Sequence, residues 1–268
     1  MEKDRFDARR GFGLILRRLA RRLSFFENRL SASLWREKLL RSVQRYAPSE
    51  GQAPHPTALL LHGCAGDKAH AVNWARLLAR HGILVYTIDS LTPRNIDVLQ
   101  ARCLVCTGLR LRGRERSRDI TEALSFVLQD PMVDRRRISL IGWSHGAWTI
   151  MEWMLDERAA AFAEQADLAI ASLVLIYPYC GLASNIHDKD WSRHLPIMVA
   201  TGGKDSIAPN KKAFTSIERL SAINAPVEHM HIECAGHGFD VEGNAHYSAE
   251  QTRRLQEAVL AFLGRINR

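Results

Sequence analysis

The sequence predicts an α/β fold with a mostly parallel central sheet and helices on both faces. From residue 57 onward, short runs that are apolar throughout alternate with longer amphipathic segments. A strand buried on both faces gives such a continuous apolar run, which is typical of a parallel sheet covered by helices on each side. At 268 residues the chain is long enough for one large domain of this kind.

The elements of this domain follow from the apolar runs, the helical periodicity and the Gly and Pro residues between them. The sequence predicts strands over 57–61, 83–88, 138–141, 173–176, 197–200 and 227–232. It predicts helices over 71–80, 118–128, 148–155, 213–222 and 249–263. The stretch 99–111 carries no clear pattern. Internal repeats and low-complexity tracts are absent from the sequence.

The first fifty residues differ from the rest in charge. Residues 1–47 hold 13 Lys or Arg and 5 Asp or Glu, so they carry the whole formal net charge of +8. The remaining chain is neutral, so we expect no nucleic-acid partner. No apolar stretch approaches the ~20 residues of a membrane-spanning helix, and no signal peptide is recognisable. We therefore expect a cytoplasmic protein, with contact to a membrane surface left open.

We divide the chain into a basic amphipathic extension with a linker, residues 1–50, and a main domain, residues 51–268. Within residues 12–30, Leu and Phe recur at helical spacing with arginines between them. A second helix is predicted over 34–46, and residues 47–56, with three prolines and a glycine, are predicted to be the linker. Three interpretations of the extension stay open: packing on its own domain, membrane-surface binding, and contact with another subunit.

A G-x-S-x-G motif lies between the strand 138–141 and the helix 148–155. It comprises Gly142, Ser144 and Gly146, with Trp143 and His145 at the variable positions. A serine on a tight strand-to-helix turn is exposed above the sheet at the positive end of the helix, where an oxyanion is stabilised. The flanking positions must be glycine, because a Cβ there would meet the neighbouring strand and helix. The motif therefore predicts a nucleophile elbow at Ser144.

Two further residues complete a catalytic set. Asp205 follows the strand 197–200 in a Gly-rich loop, and His237 follows the strand 227–232 between two glycines. The order Ser144, Asp205, His237 is that of the α/β-hydrolase triad, and each residue lies just past the carboxyl end of a predicted strand. We expect His237 to take the Ser144 proton and Asp205 to orient the imidazole. No cofactor or metal is expected.

An oxyanion formed at this serine needs two hydrogen-bond donors. We expect one to be the backbone N–H of His145, the residue after the nucleophile. The other is expected from the loop after the strand 57–61, with the N–H of Cys64 as first choice and that of Gly63 next. Only the amides matter in this prediction, and the two side chains are taken as incidental.

These four loops resemble those of the dienelactone hydrolase family. The resemblance rests on H-G-C-A-G after the strand 57–61, G-W-S-H-G at the elbow, G-G-K-D around Asp205 and A-G-H-G-F around His237. It covers about residues 55–266 and implies an α/β-hydrolase fold that cleaves ester bonds. The founding members of the family are expected to use a cysteine where Ser144 stands. The serine therefore points to a variant with other esters as substrates.

The five cysteines are scattered and odd in number, which predicts no disulfide framework. Cys103 and Cys106 form a C-x-x-C motif, but no second pair or histidine cluster completes four zinc ligands. We interpret the cysteines as small, partly buried residues.

The sequence predicts the type of reaction more specifically than the identity of the substrate. The loop 177–195 would overhang the nucleophile as a cap, with Tyr179 as a candidate substrate-binding residue. Arg94 follows a strand end and is a candidate for binding a substrate carboxylate. The leading interpretation is a serine hydrolase of small carboxylic esters or lactones. A serine peptidase of prolyl-oligopeptidase type and a non-catalytic binding module on the same fold are the alternatives.

Overall fold

The computed structural model describes residues 32–181, 184, 195–208, 215 and 227–268. The amphipathic segment predicted over 12–30 lies outside the described residues. So do most of the predicted cap over 177–195 and, apart from residue 215, the helix predicted over 213–222. In the part of the chain that is described, no helix is both long and apolar enough to cross a membrane.

The strands among the described residues form one seven-stranded sheet in the order β1-β3-β2-β4-β5-β6-β7. All neighbours are parallel except β1, which pairs antiparallel with β3. The strands are β1 (Gln44–Tyr46), β2 (His55–Leu61), β3 (Leu84–Ile88), β4 (Val133–Trp143), β5 (Ile170–Ile176), β6 (Ile197–Gly202) and β7 (Val227–Ile232). The predicted mostly parallel sheet is confirmed, and β4 lies at its centre.

Helices cover both faces of the sheet. They are α1 (Ala32–Arg41), α2 (Lys68–Arg80), α3 (Gly113–Val127), α4 (His145–Met154), α5 (Glu157–Gln165) and α6 (Ala249–Ile266). Side chains that alternate along β2 point to opposite cores: Leu59 packs in the core that contains residues of α3 and α4, and Leu60 in the core that contains residues of α2 and α6. Alternate side chains of a strand point to opposite faces, so each all-apolar strand supplies both cores.

The helix predicted over 34–46 is shorter in the structure. The helix predicted over 34–46 ends at Arg41, and Gln44–Tyr46 forms a strand on the free edge of β3. Leu39 is fully buried in the core beside α3 and α4, and Tyr46 packs against the other core. Residues 32–46 are thus packed against the sheet and its helices.

Two further segments were absent from the sequence prediction. Helix α5 is Ala-rich and buries only Ala159 and Ala163, so it leaves little apolar periodicity to read. The stretch without a clear pattern contains a 3₁₀ turn (Thr92–Arg94) and a one-turn helix (Val98–Gln100) that continues as a π-helix (Ala101–Val105). These short turns connect β3 to α3 above the carboxyl ends of the strands.

Candidate active site

Ser144 is the single residue between the end of β4 and the start of α4. Its backbone has φ 51° and ψ −109°, a left-handed conformation that costs a non-glycine residue free energy. The surrounding hydrogen bonds hold it there: the Ser144 N–H donates to Ile176 O at 2.8 Å, and Trp148 N donates to Ser144 O at 3.0 Å. The sharp turn expected of a nucleophile elbow is therefore present.

The glycines on either side of this turn are required by close approach of the backbone. A Cβ on Gly142 would lie 2.6 Å from Ala147 N, inside the first turn of α4. A Cβ on Gly146 would overlap the carbonyl oxygen of Leu61 at the end of β2. The physical reason given for the G-x-S-x-G pattern is confirmed at both positions.

Asp205 and His237 meet Ser144 at the carboxyl edge of the sheet. His237 Nε2 lies 2.9 Å from Ser144 Oγ, and His237 Nδ1 lies 2.7 Å from Asp205 Oδ2. The other Asp205 oxygen accepts hydrogen bonds from Ile207 N at 2.9 Å and Ala208 N at 2.8 Å. Because the carboxylate only accepts, His237 Nδ1 is the donor, and Nε2 is left to accept the hydrogen bond from Ser144 Oγ.

Asp240, three residues after His237, is a feature that sequence reasoning missed. Its Oδ2 accepts from Trp143 Nε1 at 3.0 Å and Trp74 Nε1 at 3.1 Å, and lies 2.8 Å from His70 Nε2. Its Oδ1 accepts from the Tyr177 hydroxyl at 2.7 Å. The hydrogen bonds from His70, Tyr177 and Trp143 outweigh the effect of burial and lower the pKa of Asp240.

The Tyr177 ring also lies 4.8 Å from the His237 ring, measured between centroids. Burial raises the Tyr177 pKa well above its usual value, so its hydroxyl stays a donor. In sequence, an acidic residue in a surface loop is typical of a solvated side chain. Only the three-dimensional convergence of these donors distinguishes Asp240.

The loop after β2 lies against the nucleophile. A Cβ on Gly63 would lie 3.8 Å from Ser144 Cβ, and Gly66 N donates to Gly63 O at 3.2 Å, which closes a turn around Cys64. His145 is the first residue of α4, where N–H groups lack partners within the helix. Both segments predicted to supply the oxyanion donors thus adjoin Ser144.

The cysteine prediction was wrong in one respect. Cys64 and Cys106 form a disulfide, with Cα atoms 5.0 Å apart. It ties the loop after β2 to the residue that follows the π-helix. The two cysteines are 42 residues apart, and only the fold brings them together. Cys103 and Cys234 are not part of this disulfide. In the described residues, no group of His, Cys, Asp or Glu side chains is arranged to hold a metal ion.

Two other histidines border the elbow, and both are buried in the neutral form. Burial, together with the charge of Arg116, lowers the pKa of His62 to about 3 and lowers that of His145 well below its usual value. Of the histidines described, His237 is the one hydrogen-bonded to Ser144 Oγ.

The two predicted substrate contacts have different surroundings. Tyr179 is half-buried, its N–H donates to Ser144 O at 3.4 Å, and its ring lies 5.2 Å from that of Trp148. Arg94 places two guanidinium nitrogens on the buried Asp119, at 2.9 and 2.6 Å. This ion pair commits the guanidinium to the protein interior, so we assign Arg94 no substrate contact.

The sequence profile of the dienelactone hydrolase family matches residues 43–267. The chain belongs to the dienelactone hydrolase family. Because a lactone is a cyclic ester, membership makes the chain a hydrolase that acts on ester bonds. The expected resemblance is confirmed, and the match also includes β1, which the resemblance had left out. No curated protein matches this sequence.

Solved structures similar to this family member share its fold at low identity. A dienelactone hydrolase-like promiscuous phosphotriesterase from metagenomic libraries has a TM-score of 0.63 at 16% identity, over 84% of this chain and 92% of the other. A thermophilic esterase of Thermogutta terrifontis with butyrate bound has a TM-score of 0.64 at 16% identity, over 84% and 88%. A dipeptidyl peptidase 4 of Porphyromonas gingivalis has a TM-score of 0.59 at 15% identity, over 82% and 33%. The predicted α/β-hydrolase fold is confirmed.

Proposed function

We propose that the protein is a serine hydrolase that cleaves small carboxylic esters or lactones through an acyl-enzyme on Ser144. The observation that carries the proposal is the hydrogen-bonded chain from Ser144 Oγ through His237 to Asp205, at 2.9 and 2.7 Å. A serine is a weak nucleophile by itself and needs a base that a third group orients. In the proposal, His237 is the base and Asp205 is the group that orients it.

In the proposed reaction, His237 Nε2 takes the Ser144 proton as Oγ attacks the ester carbonyl. Asp205 holds the imidazole with its proton on Nδ1 and stabilises the positive charge that forms. The tetrahedral oxyanion accepts hydrogen bonds from the N–H groups of Cys64 and His145. His237 then gives its proton to the leaving alkoxide, and water attacks the acyl-enzyme with the same base. The products are the free acid, the alcohol and the original enzyme.

Labelling by a fluorophosphonate probe tests the nucleophile directly. The folded wild-type protein should form a covalent adduct that mass spectrometry places on Ser144, and Ser144→Ala should remove it. Ser125→Ala is a matched control, because its hydroxyl bonds within α3 to Glu122 O at 2.7 Å, and it should label like wild type. A folded wild-type sample without label would overturn the proposal and favour a non-catalytic binding module.

Hydrolysis assays then separate the two catalytic interpretations. We expect turnover of p-nitrophenyl acetate and butyrate and of a small lactone, each lost in Ser144→Ala. If a dipeptidyl p-nitroanilide were turned over with the higher kcat/KM, the enzyme would be a peptidase instead.

A further inference from the structure

Arg116 is a fully buried cation directly behind the nucleophile elbow. It lies on the first turn of α3, which approaches α4 closely because residue 113 is a glycine. A Cβ on Gly113 would lie 2.7 Å from ring atoms of Trp148. Three residues after that contact, the Arg116 side chain reaches between β2 and α4. Since a buried charge costs free energy unless its hydrogen bonds are made, its partners define its role.

The Arg116 guanidinium contacts both segments that flank the proposed oxyanion site. Nη1 donates to His62 O at 2.9 Å and lies 3.1 Å from His145 Nδ1. His62 O is the last carbonyl before the turn that contains Cys64, and His145 is the residue after the nucleophile. A third bond, from Nε to Ser90 Oγ at 2.8 Å, ties the guanidinium to the end of β3.

These contacts also determine which ring nitrogen carries the proton in His145 and in His62. A guanidinium only donates, so His145 Nδ1 must accept and its proton must lie on Nε2. The peptide N–H of Ser90 donates to His62 Nε2 at 3.2 Å, and His62 Nδ1 lies 2.6 Å from Gly63 O, so Nδ1 carries the proton. Both rings are neutral: His62 donates to Gly63 O and accepts from Ser90 N, and His145 accepts from Arg116. Burial lowers the pKa of Arg116 to about 10, which leaves the guanidinium charged at neutral pH.

We propose that Arg116 is a positioning residue for the oxyanion hole, because one guanidinium holds the Cys64 turn and the start of α4 at a fixed separation. The proposal rests on the proposed function, in which the amides of Cys64 and His145 bind the oxyanion. The guanidinium charge, which lies against His62 O and the His145 ring, also favours the negative charge that develops on the substrate oxygen. If the two N–H donors were less well fixed, the protein would bind the substrate as before but would stabilise the tetrahedral intermediate less.

The neighbouring Arg94 provides a matched control. It is a partly buried arginine whose guanidinium pairs with Asp119 and donates to Ser90 O at 2.8 Å. It shares the neighbourhood and the charge of Arg116. Arg94→Met removes a cation from the same region and leaves the Arg116 contacts with His62 and His145 in place.

The test compares Arg116→Met, Arg116→Lys and Arg94→Met in hydrolysis of p-nitrophenyl acetate. For Arg116→Met we expect kcat to fall about 100-fold with KM within about twofold, the pattern of an interaction made in the transition state. The inhibition constant of phenylboronic acid, which forms a tetrahedral adduct with serine, should rise by a similar factor. Arg116→Lys should recover part of kcat, because an ammonium reaches one of the two segments. Arg94→Met should keep kcat within about threefold of wild type when folded.

The proposal is overturned if folded Arg116→Met keeps the kcat of Arg94→Met, or if its KM rises while kcat stays. If Arg116→Met does not fold, Arg116→Lys decides: a kcat within about threefold of wild type overturns the proposal. In all folded Arg116 variants the fluorophosphonate should still label Ser144, more slowly. Failure of the proposed function itself is distinguishable, because the wild type would then be neither labelled nor active.

Discussion

Trp143 Nε1 donates to Asp240 Oδ2 at 3.0 Å, which joins the strand that leads into Ser144 to the loop that carries His237. Trp143 immediately precedes Ser144, and Asp240 comes three residues after His237. The distance between serine and imidazole is therefore set by a buried polar anchor as well as by their own hydrogen bond. The cost of burying the carboxylate is offset by the four side chains that hydrogen-bond to it.

Asp240→Asn should lower both stability and activity. The amide keeps one accepting oxygen but turns an NH₂ toward a donor, so at least one buried N–H or O–H loses its partner. We expect a loss of about 2–4 kcal/mol in the free energy of unfolding and a kcat reduced about tenfold or more. Urea unfolding and ester hydrolysis measure the two effects. Glu242→Gln, an exposed acid two residues on, should change neither.

Asp205→Asn should abolish most activity and leave the fold intact. The amide oxygen keeps accepting from Ile207 N and Ala208 N, while the NH₂ faces His237 Nδ1 and forces the imidazole proton onto Nε2. That nitrogen then no longer accepts from Ser144, and kcat should fall about 10³–10⁴-fold. An unchanged thermal unfolding midpoint with a lost kcat would fit; a kcat near wild type would refute the role of Asp205.

Two glycine substitutions should act in opposite directions. In Gly146→Ala the added Cβ would overlap Leu61 O, so we expect the protein to unfold at lower temperature or not to fold. Around Gly264, in α6, a Cβ would meet nothing within 4 Å, so Gly264→Ala should stabilise the protein by about 0.5–1 kcal/mol. Thermal unfolding of the two variants tests the difference, and a tolerated Gly146→Ala would contradict the close approach of β2.

Reduction of the Cys64–Cys106 disulfide should destabilise the protein. Closing a loop across a sequence separation of 42 residues corresponds to about 4 kcal/mol in the chain-entropy account. A dithiol such as dithiothreitol reduces the disulfide to two thiols and is itself oxidised to a cyclic disulfide. Thermal unfolding with and without it should therefore differ for wild type and for Cys234→Ser. In Cys106→Ser, which starts at the lower midpoint, the reductant should have no effect.

Stability should decrease as pH falls from about 6.5. The unfolded chain binds protons at His62 and His145 near pH 6.5, whereas the folded protein holds the His62 pKa at about 3 and that of His145 well below its usual value. The contribution of these two histidines to the free energy of unfolding is complete above pH 6.5. It is lost toward pH 3, at about 1.4 kcal/mol per pH unit for each residue. Urea unfolding at pH 7.5 and pH 5 measures it. His62→Gln should reduce the difference by about 2 kcal/mol, and the exposed His81→Gln should not.

The fold and the candidate site residues could largely be predicted, because each depends on a short, continuous sequence pattern. Strands β2, β3, β5 and β6 are buried along most of their length and are therefore mostly apolar. Gly142, Ser144 and Gly146 indicate the turn, because a Cβ at either glycine would overlap the backbone of a neighbouring segment. Asp205 and His237 follow strands, and parallel strands bring their carboxyl ends to one edge.

The features that the sequence did not predict depend on contacts between residues that are distant in sequence. The pattern Gln44–Tyr46 carries too few residues to indicate a strand, and it becomes one because β3 offers a free edge. Cys64 and Cys106 are separated in sequence by α2, β3 and the short helical turns of residues 92–105, and only the fold brings them together. Arg116 has the composition of a surface helix residue, and nothing in its neighbours predicts that it is buried beside His145.

The position of β4 between β2 and β5 has a consequence for how activity is acquired. Ser144 comes from the middle strand, the turn with Cys64 from one neighbour, and Asp205 and His237 from strands added on the far side. Under the proposed function, turnover requires the sheet to be assembled as far as β7, since His237 follows that strand. During refolding, ester hydrolysis should therefore recover no earlier than β7 pairs with β6.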